Sequence, residues 1–382
     1  MGGWQMITDK EQVIRPVWVA IEEAALRENM RGIKALVGPQ RKVMAVVKAE
    51  AYGHGAVRVA KLAVQEGLDW LGVATPEEGI ALRQAGLQAN ILVFAPCLPT
   101  QAAVYFTHDL VPTVTTPESA VALSQEAVRR QREIRVHIKV DTGMGRIGFS
   151  PTQAGAEIEQ IRALPNLIVE GLYSHFATAD AADLSYARQQ LAAFTRLVQE
   201  LETRSIEIPL KHLANSGGIL NLPESYFDLV RPGLILYGMY PSPWCNREQL
   251  KLKPAFRLKS QVTFVKRAPA GTGISYGQRY HTKKATTIAT LPLGYADGWC
   301  RNLSGKAHVL INGEFYPVVG TICMDQCMVD VGDAPVQVGD EVVLIGEQKG
   351  KLITVEEVAA LLGTINYEVV CQISGRVPRI YI

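Results

Sequence analysis

The chain is organised by eight short apolar runs between residues 42 and 238, each followed by a longer segment. Several of these segments, such as Ala56–Gln65, Glu118–Arg130 and Ala187–Glu202, have helical spacing. A strand–helix unit repeated eight times predicts an α/β fold, a (β/α)8 TIM-like barrel. An open doubly wound sheet stays the alternative, because counting repeats cannot detect closure. The eight runs are Val43–Lys48, Trp70–Ala74, Ile91–Ala95, Val111–Val114, Ile134–Asp141, Leu167–His175, Leu210–Asn215 and Asp228–Arg231.

The pattern changes near Pro243, and about 130 β-rich residues follow, a length typical of a domain. No long helix is predicted in them before Val355–Leu362. We therefore predict a barrel over residues 1–243 and an all-β domain over residues 244–382, which residues 12–20 join as a strand. The predicted strands include Gln261–Val265, Thr286–Leu291, Ala307–Ile311, Val318–Met324, Cys327–Val331 and Glu341–Ile345.

Composition excludes several classes of protein. The charges, 39 basic against 37 acidic residues, give a net +2 without a long basic run, so neither nucleic acid nor a membrane is expected as a partner. The six cysteines contain no C-x-x-C pair, which disfavours a metal site and fits a reducing compartment. Met1–Lys10 lacks the basic and apolar regions of a signal peptide. We expect a cytoplasmic protein.

Two local motifs point to other functions, and neither fits in detail. Gly143, Gly145 and Gly148 match G-x-G-x-x-G, but the helix signal Ser150-Pro151 begins only after the last glycine. A dinucleotide site needs the helix to open among the glycines. Asp141-Thr142-Gly143 matches an aspartic-protease triplet, but no second D-T-G or D-S-G supplies the other carboxylate.

Unusual polar residues follow five of the predicted strands. In a (β/α)8 barrel these positions meet at the C-terminal mouth, where such enzymes carry their active sites. Alternation along Val136–Asp141 also places His137, Lys139 and Asp141 on one face, which we expect to enter the lumen. The mouth residues are Lys48, Asp141, Arg146, His175, Asn215, Ser216, Arg231 and Gly233.

The ends of the last two strands suit a phosphate group. Ser216 offers a hydroxyl, and Gly233 and Leu234 offer backbone N–H groups at a helix start. A phosphate site there, with Lys48 after the first strand, suggests pyridoxal 5′-phosphate bound to Lys48 as a Schiff base.

Motifs along nearly the whole chain resemble those of the pyridoxal-phosphate-dependent alanine racemases of fold type III. Two departures, Glu50 and Thr321, lie at positions that the family does not use for chemistry, so we expect them to affect only loop packing or substrate preference. The motifs are Ala45-Val-Val-Lys48-Ala-Glu-Ala-Tyr52-Gly-His-Gly, Lys139-Val-Asp-Thr-Gly-Met-Gly-Arg146, Tyr173-Ser-His175-Phe-Ala-Thr-Ala-Asp, Ala214-Asn-Ser216-Gly, Arg231-Pro-Gly233-Leu-Ile-Leu-Tyr-Gly, Ile274-Ser-Tyr276-Gly, Gly294-Tyr295-Ala-Asp-Gly, Cys323-Met324-Asp325-Gln and Asn366-Tyr367-Glu368.

The resemblance implies an isomerase that interconverts L- and D-alanine with two catalytic bases on opposite faces of the substrate. Lys48 would serve the D-face, and Tyr276 from the partner subunit of a homodimer would serve the L-face. A phenol is a weak base near neutrality, so His175, backed by Arg231, would stabilise its phenolate. Arg231 would also face the pyridine nitrogen of the cofactor without donating a proton to it.

The resemblance assigns the remaining site residues. Arg146 would contact the cofactor and the substrate carboxylate, and a carbamylated Lys139 would hold Arg146. Met324 of the partner would bind the substrate carboxylate, and Tyr295 and Asp325 would line a substrate corridor. The remaining cofactor-binding residues would be Tyr52, Asn215, Ser216, Gly233, Leu234 and Tyr367.

The implied role is the supply of D-alanine for peptidoglycan, with alanine breakdown as the alternative. A racemase for serine or another amino acid is the rival of the same kind. Rivals of other kinds are a non-catalytic cofactor-binding barrel, which would lack the β-domain, and an amino-acid decarboxylase.

Overall fold

A computed structural model describes residues 13–382, so the leader prediction for Met1–Lys10 lies outside the described residues. The chain divides into two compact units. The barrel unit consists of Leu26–Ala51 and Ala56–Lys253. The β unit consists of Tyr52–Gly55, Pro254–Ile382 and the described residues up to Ala25. Strand β1 (Val17–Ile21) belongs to the β unit, and helix α1 (Glu23–Val37) follows it.

Eight parallel strands form the sheet of the barrel unit. The two strands at the ends of the sheet order also meet, because the Asp228 N–H donates to the Lys211 carbonyl at 3.0 Å and the Arg231 N–H donates to the Ala214 carbonyl at 2.9 Å. The barrel prediction is confirmed, and the open sheet is excluded. The strands are β2 (Lys42–Val46), β3 (Trp70–Val73), β4 (Asn90–Pro96), β5 (Val111–Val114), β6 (Ile134–Lys139), β7 (Leu167–Tyr173), β8 (Leu210–His212) and β9 (Leu229–Val230).

Helices follow the strands, and several begin at capping residues visible in the sequence. Thr75 and Thr116 each accept a backbone N–H with the side chain, and a proline follows each of them in the first turn. None of the helices in residues 13–382 has the length and apolar character that a bilayer crossing requires. The helices are α2 (Lys48–Gly53), α3 (Ala56–Gln65), α4 (Pro76–Gln84), α5 (Ala102–Thr107), α6 (Pro117–Arg130), α7 (Pro151–Arg162), α8 (Ser185–Thr203) and α9 (Ser216–Asn221).

An apolar layer fills part of the barrel interior. Six strands each contribute one residue to it, so side chains rather than a channel occupy this part of the lumen. β6 and β7 contribute polar or very small residues instead, among them His137 and Gly171. The functional groups of the lumen therefore come from these two strands and from the strand ends. The layer consists of Met44, Trp70, Leu92, Val111, Leu210 and Leu229.

The first strand of the barrel is shorter than the predicted strand Val43–Lys48. β2 stops at Val46, and Lys48 begins helix α2 instead of closing the strand, because the next four residues take positive φ values that no strand accommodates. The short helix α5 escaped prediction because six residues show too little periodicity.

The β unit is built on a mostly antiparallel ten-stranded sheet. β1 pairs antiparallel with β10 and parallel with β20, so the chain's first described strand lies inside this sheet. The later elements are β10 (Phe256–Gln261), β11 (Phe264–Ala268), β12 (Gly273–Ile274), β13 (Tyr280–His281), β14 (Thr286–Leu291), β15 (His308–Ile311), β16 (Glu314–Val319), β17 (Cys327–Gly332), β18 (Glu341–Gln348), β19 (Lys351–Ile353), α10 (Val355–Leu362), α11 (Asn366–Gln372) and β20 (Arg379–Tyr381).

Two predicted strands of the β unit were wrong. Gln261–Val265 spans the end of β10 and the start of β11. Val318–Met324 is strand only as far as Val319, because Gly320 takes a φ of +69° and leaves the extended conformation.

Candidate functional site

Arg231 follows directly after strand β9, at the barrel mouth, and is only 3 % exposed. Its Nη2 donates to the carbonyls of Ser174 at 2.8 Å and Leu213 at 3.1 Å and approaches Nδ1 of His175 at 3.2 Å. Its Nη1 approaches Nδ1 of His212 at 2.8 Å. Burial lowers the pKa of Arg231 to about 10, so it stays a cation at neutral pH.

An aromatic platform lies beneath this cation. The Tyr173 ring stacks on the His212 ring with centroids 4.7 Å apart, and Arg231 lies 5.3 Å from its centroid. The Lys139 ammonium lies 5.0 Å from the same ring. The Tyr173 hydroxyl bonds Thr113 Oγ1 at 2.9 Å, while burial raises the pKa of Tyr173 to about 12. Tyr173 is therefore a neutral, fixed ring.

A chain of buried groups runs inward from Arg231. Because a guanidinium only donates, Nδ1 of His212 must accept, and its proton must sit on Nε2. That Nε2 lies 2.9 Å from Nδ1 of His137, which in turn must carry its proton on Nε2. This atom lies 3.6 Å from a carboxylate oxygen of Glu170. The guanidinium thus fixes the tautomers of both rings, and the chain ends at an anion.

The imidazoles of this region are held neutral. Burial, followed by the charge of Arg231, lowers the pKa of His212 and of His175 well below the usual value. Burial also lowers the pKa of His137, although Glu170 opposes the shift. With its Nδ1 facing Arg231, neutral His175 presents an N–H donor at Nε2. Nδ2 of Asn215 lies 3.5 Å from that atom, but both groups donate in this tautomer, so the contact is not a hydrogen bond.

Lys139 is a lumen lysine that is only 2 % exposed. Its Nζ donates to the Val140 carbonyl at 3.1 Å. Burial, then the charge of Arg231, lowers the pKa of Lys139 well below the usual value, and Arg146 adds to this while Asp141 opposes it. A neutral amine is therefore favoured here.

Asp141 does not enter the lumen as the strand alternation predicted. β6 ends at Lys139, and the Asp141 carboxylate accepts four backbone N–H groups, those of residues 143–146, at 2.8–3.1 Å. Burial opposes ionisation, but these bonds outweigh it and lower the pKa of Asp141. The glycines of the G-x-G-x-x-G motif thus shape a loop that holds the backbone of Arg146, in agreement with the sequence-based rejection of a dinucleotide site.

Lys48 is followed by a left-handed turn. Ala49, Glu50, Ala51 and Tyr52 all have φ between +50° and +54°. Each costs about 1–2 kcal/mol relative to right-handed backbone, so the surroundings must impose the turn. In the barrel unit, Glu78 accepts the Ala49 N–H at 2.7 Å and Glu50 accepts the Ala56 N–H at 3.1 Å. Strain of this kind concentrates at functional sites.

The predicted phosphate-binding groups of the barrel unit lie together. Asn215 caps α9 by accepting the Gly218 N–H at 3.0 Å. The Ser216 hydroxyl, almost fully buried, accepts the Gly233 N–H at 2.9 Å. The buried residue Leu234 begins a 3-10 helix directly after Gly233. The hydrogen bond between Ser216 and Gly233 therefore joins the chain segments that follow β8 and β9.

In the β unit, the predicted partner-facing residues are exposed. Tyr276 is 71 % and Met324 53 % exposed, and Tyr295 and Asp325 are exposed as well. Large exposed apolar side chains in one region are typical of binding surfaces. Separately, the rings of Tyr52 and Tyr367 lie 5.9 Å apart in this unit.

Sequence reasoning missed several residues that shape the site. His212, Tyr173 and Glu170 were not singled out as site residues, although each lies in or directly after a predicted strand. Alternation along β7 groups Tyr173 with Gly171 and would have identified it, but it places Glu170 at an intervening position on the other face of the strand. No sequence signal relates Glu78 to the backbone of Ala49.

Comparisons with known proteins agree over both units. The family models described as "Alanine racemase, N-terminal domain" and "Alanine racemase, C-terminal domain" match residues 21–241 and 255–381. An alanine racemase of Desulforamulus reducens is 50 % identical over 369 residues, which cover 96 % of this chain and 99 % of that protein.

Solved structures give the same picture. An alanine racemase from Clostridium difficile 630 superposes with a TM-score of 0.92 at 41 % identity, covering 97 % of each chain. A histidine racemase from Leuconostoc mesenteroides subsp. sake superposes with a TM-score of 0.88 at 30 % identity, covering 97 % of this chain and 98 % of that chain.

The buried chain makes a spectroscopic prediction. In ¹⁵N NMR spectra, His212 and His137 should both be neutral and protonated on Nε2, and they should stay so when the pH falls from 7.5 to 6. Burial lowers the pKa of both rings and so favours their neutral forms, and Arg231 dictates the tautomer. A proton on Nδ1 of His212, or protonation of either ring above pH 6, would contradict the arrangement.

Proposed function

The chain belongs to the alanine racemase family, and we propose that it interconverts L-alanine and D-alanine with pyridoxal 5′-phosphate by a two-base mechanism. The observation that carries this proposal is the cationic barrel mouth, in which Arg231 fixes neutral His175 as an N–H donor. The homologous β unit, with its exposed tyrosine Tyr276, argues against a one-domain cofactor-binding barrel.

The donor set of the barrel mouth fits the cofactor. The charges of Arg231, Arg146 and Lys48 all lower the pKa of His175, so the mouth is cationic and suits an anionic group. Lys48 would hold the cofactor through its amine. In the barrel unit, the Ser216 hydroxyl and the backbone of Gly233 and Leu234 would bind the phosphate, and Asn215 would contact the cofactor. When bound, the cofactor withdraws electrons from the substrate and acidifies its α-proton.

Arg231 would lie against the pyridine nitrogen. Its hydrogen bonds to two carbonyls and its contacts with two imidazoles hold the guanidinium in place, and it remains a cation at neutral pH. A cation that keeps its protons cannot protonate the ring nitrogen. Because the ring nitrogen would stay unprotonated, the cofactor would withdraw electrons from the substrate less strongly. Arg231 would in this way suppress side reactions such as transamination.

Two bases act on opposite faces of the substrate. Lys48 takes the α-proton of D-alanine, and Tyr276 of the partner subunit takes that of L-alanine; the other base then returns a proton. A phenolate at Tyr276 needs a hydrogen-bond donor, and the Nε2–H of His175 supplies one. Because the tautomer of His175 is set by Arg231, the donor is fixed before the substrate binds.

Substrate binding would divide between two subunits of a homodimer. Arg146 in the barrel unit and the backbone N–H of Met324 of the partner subunit would hold the carboxylate of alanine. Tyr295 and Asp325 would line the corridor to the site. The exposure of Tyr276 and Met324 supports this, since neither side chain is buried within its own subunit. Two-fold pairing would complete two sites at once.

Lys139 would carry a carbamate. Its neutral amine attacks CO2, an N–C bond forms, and one proton is released. The product is an anion beside Arg146 and Arg231, which replaces a lysine buried among cations with a paired charge. The carbamate would hold the Arg146 side chain toward the substrate carboxylate.

In the cell, we expect a cytoplasmic enzyme that supplies D-alanine for peptidoglycan. Because the chain is also similar to a histidine racemase, the racemisation assay described below should include amino acids other than alanine. Serine and histidine should be converted far more slowly than alanine.

The first test is racemisation by mixed subunits. Purified enzyme with pyridoxal 5′-phosphate should convert L-alanine to a racemic mixture, measured by chiral chromatography. Lys48→Ala and Tyr276→Phe should each lose at least about 100-fold in rate. Mixing and re-dimerising the two variants should restore roughly a quarter of the wild-type rate, because one site in each mixed dimer receives both bases.

Each outcome of this test has a separate meaning. If wild-type enzyme leaves L-alanine unchanged, the proposed activity is wrong. If racemisation is present but the mixture stays inactive although mixed dimers form, the shared site is wrong and the activity stands.

Carbamylation can be tested directly. Wild-type protein equilibrated with ¹³CO2 should give one carbamate signal in ¹³C NMR, lost on acidification. The signal should vanish in Lys139→Ala and persist in the control Lys211→Ala, whose lysine pairs with Asp228 in the barrel unit. Lys139→Ala should also lose about 10-fold or more in activity and regain part of it with added acetate. A signal that survives in Lys139→Ala would exclude this site.

The proposed electronic role of Arg231 predicts that replacing it changes the ratio of transamination to racemisation. Arg231→Glu should lower racemisation about 100-fold and raise the ratio of pyruvate to D-alanine formed from L-alanine. Arg231→Lys, which keeps the cation, should lower the rate without raising that ratio. An unchanged ratio in Arg231→Glu would show that this residue does not moderate the cofactor.

A further inference from the structure

Tyr276 stands at the tip of a short hairpin with an unusual backbone. Strands β12 and β13 pair on either side of it. The neighbouring Ser275 has a φ of +65°, Gly277 of +70° and Gln278 of +44°. Two of these residues carry side chains that disfavour such values, so the surroundings must hold the turn. The exposed phenol thus projects from a constrained turn rather than from a loose loop.

A reciprocal pair of hydrogen bonds holds this turn. The Ser275 hydroxyl donates to the Thr321 carbonyl at 2.6 Å. The Thr321 hydroxyl donates to the Tyr276 carbonyl at 2.9 Å. Thr321 is 2 % exposed, so water does not compete for these bonds. One bond anchors the side chain of the residue before Tyr276, and the other holds the Tyr276 carbonyl itself.

The contact between these segments is too close for a side chain at residue 320. A Cβ on Gly320 would lie 2.8 Å from the Ile274 carbonyl oxygen and 2.9 Å from Ser275 Cβ. Gly320 also has a φ of +69°. The glycine therefore lets Thr321 reach the turn.

The same segment holds the other partner-facing residues. The Cys323 carbonyl accepts the Tyr295 N–H at 3.1 Å, and the Met324 carbonyl accepts the Ala296 N–H at 3.1 Å. Residues 321–324 therefore connect Tyr276, Met324 and Tyr295 by backbone and side-chain bonds within the β unit. Movement of Thr321 would displace the phenol relative to Met324.

We propose that Thr321 is the positioning residue for Tyr276: its buried hydroxyl holds the tyrosine carbonyl and so sets where the phenol reaches in the partner's site. This rests on the proposed two-base function. The sequence alone gave Thr321 no chemical role. Its side chain touches neither substrate nor cofactor in this proposal and acts only through the Tyr276 backbone.

The test separates the two bases by isotope exchange. In D2O, Lys48 alone can replace the α-proton of D-alanine with deuterium, whereas formation of L-alanine also needs Tyr276. Thr321→Val removes the hydroxyl at nearly constant volume. We expect it to lower L-alanine formation about 10-fold while α-deuteration of D-alanine stays within about twofold of wild type. ¹H NMR and chiral chromatography measure the two rates.

Two control variants complete the experiment. Thr321→Ser keeps the hydroxyl and should restore L-alanine formation to within about threefold of wild type. Thr263→Val removes another hydroxyl of the β unit that donates to a carbonyl, that of Thr290, and should change neither rate.

The outcomes are distinguishable. If exchange and racemisation fall together in Thr321→Val, or if neither falls, Thr321 does not position Tyr276 and the inference is overturned while the proposed function stands. If wild-type enzyme neither exchanges nor racemises alanine, the proposed function fails and the inference fails with it.

Discussion

The structure of the site depends on one buried cation that only donates hydrogen bonds. Arg231 loses its water shell in the barrel, so every group around its guanidinium must accept a proton from it. Two backbone carbonyls and the Nδ1 atoms of His175 and His212 meet this requirement. The choice of acceptors then fixes tautomers beyond the first contact, inward to His137 and outward to the Nε2–H of His175.

The two units contribute different kinds of chemistry. The barrel unit concentrates cations and neutral imidazoles in a low-dielectric mouth, where burial, more than any single charge, keeps the histidines neutral. The β unit instead presents an exposed phenol on a constrained turn. For Tyr276 to act in another subunit, as we propose, its phenol has to be exposed in its own subunit and its backbone has to be rigid. Ser275 and Thr321 provide that rigidity.

Much of the candidate site could be predicted from the position of polar residues at the ends of the predicted strands. Polar residues after apolar runs predicted that Lys48, His175 and Arg231 belong to one mouth, because parallel strands bring their carboxyl ends together. Alternation found His137 and Lys139 in the lumen. It failed for Asp141, since β6 ends at Lys139 and four backbone N–H groups compete successfully for the carboxylate.

The sequence by itself determined the repeated strand–helix order, the change to a β-rich second half and the family, because these depend on local periodicity and on ordered motifs. Only the tertiary structure decided the left-handed turn after Lys48, the tautomers around Arg231 and the bond from Thr321 to the backbone of Tyr276. Such features arise between residues far apart in the chain, as Thr321 and Tyr276 are, and a hydrogen bond of this kind leaves no periodic trace in sequence.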